Sequence, residues 1–167
     1  MSCAAARQLA LAKRVARSLR NPDIPALTIS GGSDKGSVNY LRFFPNRLTI
    51  DAGQTVRFTV PSKQEPHTLS VGPTAFLNNL GENAFAPPPG SPPPPLIADG
   101  RAFFPSDEPP TLPPFDGTNH GNGFISTGAL GGGQQQTSSR IRFTRAGTYD
   151  FICLIHPEEM KGQITVR

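Results

Sequence analysis

The most informative stretch of the sequence is Cys153-Leu154-Ile155-His156-Pro157-Glu158-Glu159-Met160. It brings a thiol, an imidazole and a thioether into one short loop between two segments, 147–152 and 162–166, with the alternating pattern of β-strands. Copper suits this combination of side chains better than other common metals do. A trigonal copper site of two His and one Cys with a weak axial Met needs one more histidine, and His67 is the candidate.

Each of these side chains also has a structural interpretation. A lone buried cysteine is often a small core residue, and a lone histidine or methionine is often a surface or packing residue. Zinc is the main competing metal, but a structural zinc site normally uses four Cys or His ligands. The chain has three histidines, which are too few for a multicopper cluster. The third, His120, lies in a loop rich in Gly and Asn and is predicted to be structural or exposed.

The pattern from residue 36 onward indicates β-structure. Strands are predicted at 47–50 and 55–60 on either side of a turn, and a further short strand carries His67, Leu69 and Val71 on one face. Near the other end of the sequence, Tyr149, Phe151 and Cys153 alternate with Asp150 and Ile152. Cys153 is therefore expected to face the interior of a sandwich, where a metal–thiolate bond is sheltered from water.

Charge is concentrated at the start of the sequence. Residues 1–22 carry five of the 16 Lys and Arg residues and no acidic residue, so the rest of the chain is close to neutral despite the formal charge of +4. No nucleic-acid binding is predicted. Residues 4–20 are predicted to form a basic helix. It is a solvated lead-in helix, a transit-type targeting segment, or a helix that binds a membrane surface or a partner, and membrane contact is expected only through this segment. Neither a transmembrane helix nor a standard secretory signal is predicted.

Proline marks an insertion. Residues 86–115 contain 12 of the 19 prolines, which favours a polyproline or irregular loop. The loop is either a surface insertion, or a recognition segment or cover over part of the sandwich. Gly131–Gln136 is predicted to be a second flexible connector. Two parts are expected. Residues 1–35 form a basic helical extension with a flexible joint, which covers 21–36, and residues 36–167 form one domain.

Residues 38–166 resemble the cupredoxins, in particular the plastocyanin- and azurin-like small blue (type 1) copper proteins. The resemblance rests on the segments 43–58, 65–68 and 143–160. It implies an all-β, Greek-key β-sandwich that holds one copper ion through His67, Cys153 and His156, with Met160 as axial ligand. Pro66 and Thr68 would lie next to the metal. A carboxylate of Glu158 or Glu159 is the alternative axial ligand.

The resemblance implies one-electron transfer rather than catalysis. The electron would pass through His156 to redox partner proteins that dock on an apolar rim formed by Leu154, Ile155 and Pro157. An extracytoplasmic location is expected. The alternatives are copper storage or delivery, and a non-redox interaction module that uses the Pro-rich loop. Enzymatic copper chemistry would need more histidines than the chain has.

Overall fold

A computed structural model of the chain describes residues 3–19, 23–35, 38–85 and 98–167. The strands are β1 Thr28–Lys35, β2 Val38–Phe44, β3 Arg47–Ile50, β4 Thr55–Thr59, β5 Pro66–His67, β6 Ser70–Val71, β7 Ile125–Ser126, β8 Leu130–Gly131, β9 Ser138–Arg142, β10 Gly147–Ile152 and β11 Lys161–Val166. The helices are α1 Cys3–Leu19, α2 Thr74–Asn83, α3 Gly100–Phe103 and a 3-10 turn at Asn119–Gly121. The first part of the Pro-rich segment, residues 86–97, lies outside the described residues.

Two mixed sheets form a sandwich. The first has the strand order β2-β1-β4-β9 and the second β3-β11-β10-β6-β7, while β5 and β8 form a separate two-stranded ribbon. The main core lies between the sheets and contains buried aromatic and aliphatic side chains from both, including Phe43, Phe58, Phe143 and Phe151. Because strands expose alternate residues to opposite faces, the alternation read from the sequence explains this core. The expectation of an all-β sandwich with an N-terminal helix is confirmed.

Helix α1 contacts β2 and β1, and its residues Ala5, Ala12, Val15 and Ala16 are partly buried. Its basic residues Arg7, Lys13, Arg14 and Arg17 are exposed. None of the helices in the described residues has the length and apolarity needed to cross a bilayer.

Strand β1 corrects the predicted flexible joint. Residues 28–35 lie inside the first sheet, antiparallel to β2 and parallel to β4. The sequence signal for this strand is weak because Gly31, Gly32 and Ser33 read as a turn. Their backbone instead forms a bulge where the register with β2 shifts. Strand β1 is therefore extended because it pairs with its two neighbours, and not because of its own composition.

The predicted strand through His67, Leu69 and Val71 is divided in two. His67 belongs to β5, which pairs with β8, whereas Val71 belongs to β6, which pairs with β10 and β7. The break lets the chain leave one sheet and enter another immediately after the histidine. The pairing of β5 with Leu130–Gly131 also shows that the predicted flexible connector at 131–136 begins inside a strand.

A second, smaller core was not predicted. Helix α2 packs on the outer side of β10, where it buries Ile152 and Leu154 together with Phe124. Two residues of α2, Leu77 and Leu80, face this core at helical spacing. As a result, the last residues of β10 are covered on both faces, by the main core on one and by α2 on the other.

We expect Phe143→Ala to lower the free energy of unfolding of the metal-free protein by about 3–5 kcal/mol. Phe143 is fully buried and its ring packs edge-on against Phe115, at 5.4 Å between centroids. The control is Phe104→Ala, because Phe104 is 71% exposed, and it should change the value by about 0.5 kcal/mol or less. Urea denaturation measures both, and equal losses would contradict the assigned core.

Candidate metal centre

Pairing between β6 and β10 brings the two halves of the site together. Ser70 and Val71 pair with Ile152 and Phe151, so the residues just before β6 lie beside the residue just after β10. The backbone N–H of Thr68 points at the Cys153 sulfur, at 3.4 Å. His67 and Cys153 are 86 residues apart in sequence and become neighbours only when the sandwich closes.

Three predicted ligand atoms meet in one pocket. The Nδ1 atoms of His67 and His156 are 3.1 Å apart, and the Cys153 sulfur lies 3.8 Å from the first and 3.7 Å from the second. Cys153 is fully buried, His67 is 1% exposed, and Cys153 is a free thiol. A point equidistant from the three atoms lies about 2.1 Å from each, which is within metal–imidazole and metal–thiolate bond lengths of about 2.0–2.3 Å.

Met160 closes the loop that carries Cys153 and His156. Its N–H donates to the carbonyl of His156 at 3.1 Å, and its carbonyl accepts from the N–H of Cys153 at 2.9 Å. The Met160 side chain is fully buried in the same core cluster as Cys153. Glu158 and Glu159, the alternative ligands, are both exposed. The loop is therefore held shut by its own backbone, with the thioether turned inward and the carboxylates outward.

Thr68 ties the two ligand segments together. Besides the N–H directed at Cys153, its buried hydroxyl accepts from the N–H of Leu154 at 2.9 Å and lies 3.2 Å from the Ser70 hydroxyl. The bond to sulfur is the kind that stabilises a thiolate, and the bond to Leu154 fixes the start of the ligand loop. Pro66, the other residue predicted to adjoin the metal, directly precedes His67 in β5 and is half-buried.

Burial keeps the pocket uncharged when no cation is present. It lowers the pKa of His67 to about 4, helped by the proximity of His156. Burial also lowers the pKa of His156, against the attraction of the Glu65 and Glu159 carboxylates, and raises the pKa of the Cys153 thiol against the hydrogen bond from Thr68. Near neutral pH both imidazoles are thus unprotonated, as metal ligands must be, and the thiol needs a cation to release its proton.

The solvent side of His156 differs from the predicted apolar rim. The His156 side chain is 17% exposed, and its Nε2 lies 3.9 Å from a carboxylate oxygen of Glu65. Asn39 donates to the other oxygen of Glu65 at 3.4 Å. Leu154, which was expected in the rim, is fully buried beneath α2, so the prediction was wrong for this residue. Ile155 and Pro157 are half-buried.

Close backbone contacts brace the ligand segments, and sequence reasoning missed them. A Cβ on Gly81 of α2 would lie 2.7 Å from the ring of Pro157, and one on Gly132 would lie 2.3 Å from the Pro66 nitrogen. The ligand loop thus rests on α2, and the His67 segment rests on the turn after β8. Both contacts join residues distant in sequence, and a glycine alone does not reveal its partner.

His120 stays apart from this cluster, as predicted. It lies in an exposed loop, with its Nε2 3.2 Å from a carboxylate oxygen of Asp107. Its backbone is left-handed, at φ +55°, which is uncommon for a non-glycine residue. Nothing in its contacts connects it with the buried thiol.

Comparison with solved structures identifies the architecture. Auracyanin A, described as a "blue" copper protein from the green thermophilic photosynthetic bacterium Chloroflexus aurantiacus, is 22% identical and matches 86% of this chain and 98% of its own with a TM-score of 0.53. The chain has the cupredoxin fold. No protein-family model matches the chain, and a comparison with curated proteins gives no match.

Two further cupredoxin structures are more distant. Plastocyanin from Dryopteris crassirhizoma is 20% identical over 84% of this chain and 99% of its own, with a TM-score of 0.43. Amicyanin from Paracoccus versutus is 18% identical over 87% of this chain and 86% of its own, with a TM-score of 0.44. In this cupredoxin-fold chain, α2 and its small core are packed directly against the ligand loop.

We expect Thr68→Val to lower the free energy of unfolding of the metal-free protein by about 1–3 kcal/mol, because it leaves the buried N–H of Leu154 without its acceptor. Thr68→Ser is the matched control, since it keeps the hydroxyl and removes only a methyl group. Urea denaturation compares the two. Equal losses in both variants would show that the hydroxyl bond contributes nothing.

Proposed function

We propose that the chain is a copper-binding electron-transfer protein with one mononuclear type 1 site. The observation that carries this proposal is the buried triangle of two imidazole nitrogens and one thiol sulfur. Its ligand types are those of the trigonal His₂Cys copper site. Copper bound there would supply a one-electron Cu(I)/Cu(II) couple. His67, Cys153 and His156 would hold it, and the fold of the chain supports this assignment.

The donor set favours copper over zinc. Among the described residues, His67, Cys153 and His156 are the only group of three or more His, Cys, Asp or Glu side chains close enough to share an ion. A structural zinc site would need a fourth Cys or His. The side chain that the loop buries instead is Met160, a soft thioether that suits copper.

Met160 is a better axial candidate than either carboxylate. Both Glu158 and Glu159 are exposed, and bringing one into the pocket would cost its hydration. It would also require the backbone bonds between Cys153 and Met160 and between Met160 and His156 to open. The thioether is already desolvated and needs no such change.

The surrounding residues suit fast electron transfer because they resist movement. Cys153 is held by the N–H of Thr68, and the loop is closed by backbone hydrogen bonds and seated on α2. Side chains fixed in this way keep nearly the same positions in both oxidation states, so little nuclear rearrangement accompanies the electron. Storage or delivery would be served by an exposed site, whereas Cys153 and His67 are buried here.

Exchange with a partner is proposed to occur at the exposed edge of His156, the one histidine of the triangle that reaches solvent. Glu65 lies against this edge, and Glu158 and Glu159 are exposed in the loop that carries His156. A redox partner with positive charge around its own redox centre would be steered to this edge. The extracytoplasmic location stays a prediction from the family resemblance. Membrane contact through residues 4–20 stays a prediction from the basic helical pattern of that segment.

We expect the purified protein to bind one Cu(II) and to develop an intense visible band from thiolate-to-copper charge transfer. Cys153→Ser should abolish the band, because the hydroxyl cannot replace the thiolate. His67→Ala should abolish or strongly shift it, while His120→Ala, the matched histidine control, should leave it unchanged. Absorption and EPR spectra of the copper titration measure these effects.

The same titration tests the axial ligand. Met160→Leu should keep the band but change its position and the EPR hyperfine splitting, whereas Glu159→Gln should change neither. A folded protein that shows no band with Cu(II) would reject the electron-transfer proposal. It would leave the interaction module, with the Pro-rich loop as contact surface, as the alternative.

We expect Glu65→Gln to change the oxidation rate of the reduced protein in opposite directions for oppositely charged acceptors. At low ionic strength the rate with the trication tris(phenanthroline)cobalt(III) should fall about three- to tenfold, and the rate with the trianion hexacyanoferrate(III) should rise. The cause is the loss of one negative charge 3.9 Å from the His156 ring. Stopped-flow absorption measures both rates.

Asp51→Asn is the matched control. Asp51 is exposed and lies at the same end of the sheet as the start of β10. Its neighbour Ile50 pairs with Val166, and Val166 pairs with Gly147, the first residue of β10. Cys153 lies beyond the other end of β10, about 20 Å away at the rise of a β-strand. This variant should leave both rates nearly unchanged. Equal changes in the two variants would mean that net charge, and not the His156 edge, governs exchange.

A further inference from the structure

The backbone of β1 lies directly against the ring of His67. At Gly32 the strand bulges and adopts the left-handed conformation, with φ +68°. A Cβ built on Gly32 would lie 2.2 Å from Nε2 of His67 and 2.7 Å from its Cδ2. These separations are below 3.0 Å, a limit that real Cβ atoms essentially never cross. Only a residue without a side chain allows this approach.

The His67 ring is thereby enclosed on two opposite sides. Its Nδ1 faces the Cys153 sulfur and the Nδ1 of His156, and its Nε2 edge faces the bare backbone of Gly32. The neighbouring Gly31 extends the contact, because a Cβ there would lie 2.7 Å from the Phe58 ring and 3.4 Å from the Cβ of His67. The bulge therefore fits over both the core and the histidine.

We propose that Gly32 is a positioning residue of the metal centre, whose bare backbone presses on the His67 imidazole and keeps Nδ1 directed at Cys153 and His156. The inference deepens the proposed function and rests on it only for its effect on copper. The contact itself is a property of the metal-free chain.

The size of the collision indicates how strongly a side chain would act. Restoring an allowed separation at Gly32 requires the ring or the strand to move by about 1 Å, and a binding site loosened by 1 Å loses its function. The ring has no space to move in the direction of the cluster, where His156 is already 3.1 Å away. The displacement would therefore turn Nδ1 out of the triangle.

The test compares Gly32→Ala with Gly53→Ala. Both glycines have positive φ, +68° and +90°, so both substitutions strain the backbone, but a Cβ on Gly53 has nothing within 4 Å. Gly53 lies in the turn that follows Ile50, at the end of the sandwich away from Cys153. We expect similar losses in urea midpoint from the strain alone, with an additional loss for Gly32→Ala.

The first readout needs no copper. In the metal-free protein, ¹⁵N-histidine NMR should show the ring resonances of His67 shifted by Gly32→Ala and unshifted by Gly53→Ala, with His120 unaffected in both. In the copper-loaded protein, Gly32→Ala should weaken copper binding about 10- to 100-fold and alter the EPR hyperfine splitting. Gly53→Ala should do neither.

A double-mutant cycle keeps the inference testable if Gly32→Ala does not fold. His67→Ala removes the ring that the new Cβ would strike, so the additional loss from Gly32→Ala should disappear in the His67→Ala background, and the double variant should fold. Equal destabilisation by Gly32→Ala in both backgrounds would overturn the inference, as would unchanged His67 resonances. If the wild-type chain binds no copper but Gly32→Ala still shifts the His67 resonances, the proposed function is rejected and the positioning role is retained.

Discussion

The approach of two imidazole nitrogens and a thiol sulfur to within 4 Å of one another in a buried pocket is the constraint on which the rest of the structure depends. Burying polar atoms away from water is costly unless they are neutral or paired. The pocket meets this condition by keeping both histidines unprotonated and by directing the N–H of Thr68 at the sulfur. The triangle is held by the pairing of β6 with β10 and by the backbone hydrogen bonds that close the ligand loop.

Helix α2 changes what the sandwich presents to solvent. By covering Ile152 and Leu154 it extends the buried region past the end of β10, and through Gly81 it supports Pro157 in the ligand loop. The same packing removes Leu154 from the surface around His156, and Glu65 lies 3.9 Å from the exposed ring edge. Helix α2 thus supports the ligand loop, and Glu65 gives the exposed edge of His156 an acidic neighbour. Under the proposed function, selectivity for a redox partner would follow from these surroundings of His156 and not from the ligands, which the resemblance already implied.

The sequence was sufficient for the features that depend on short-range spacing. The alternation in β4 and β10 predicted the two sides of the core, and the residues from Cys153 to Met160 predicted a closed ligand loop. It was insufficient where a segment takes its conformation from partners distant in the chain. Strand β1 was missed because Gly31 and Gly32 resemble a turn until β2 and β4 flank them. Helix α2 was missed because three Asn and one Gly, all weak helix formers, obscure the spacing of Leu77, Leu80 and Ala84.

Preorganisation explains why these distant contacts would matter for the proposed electron transfer. The elements that fix the triangle are backbone hydrogen bonds, strand pairing and glycine contacts, all of them between atoms of the chain itself. The ordering of His67, Cys153 and His156 is therefore a cost already met by folding, since packing of the two cores offsets the conformational entropy of the ligand segments. A site shaped by the ion would relax whenever the charge of the ion changed. A site shaped by the fold cannot relax without opening the sandwich, so under the proposed function the geometry would stay nearly constant while a single electron enters or leaves.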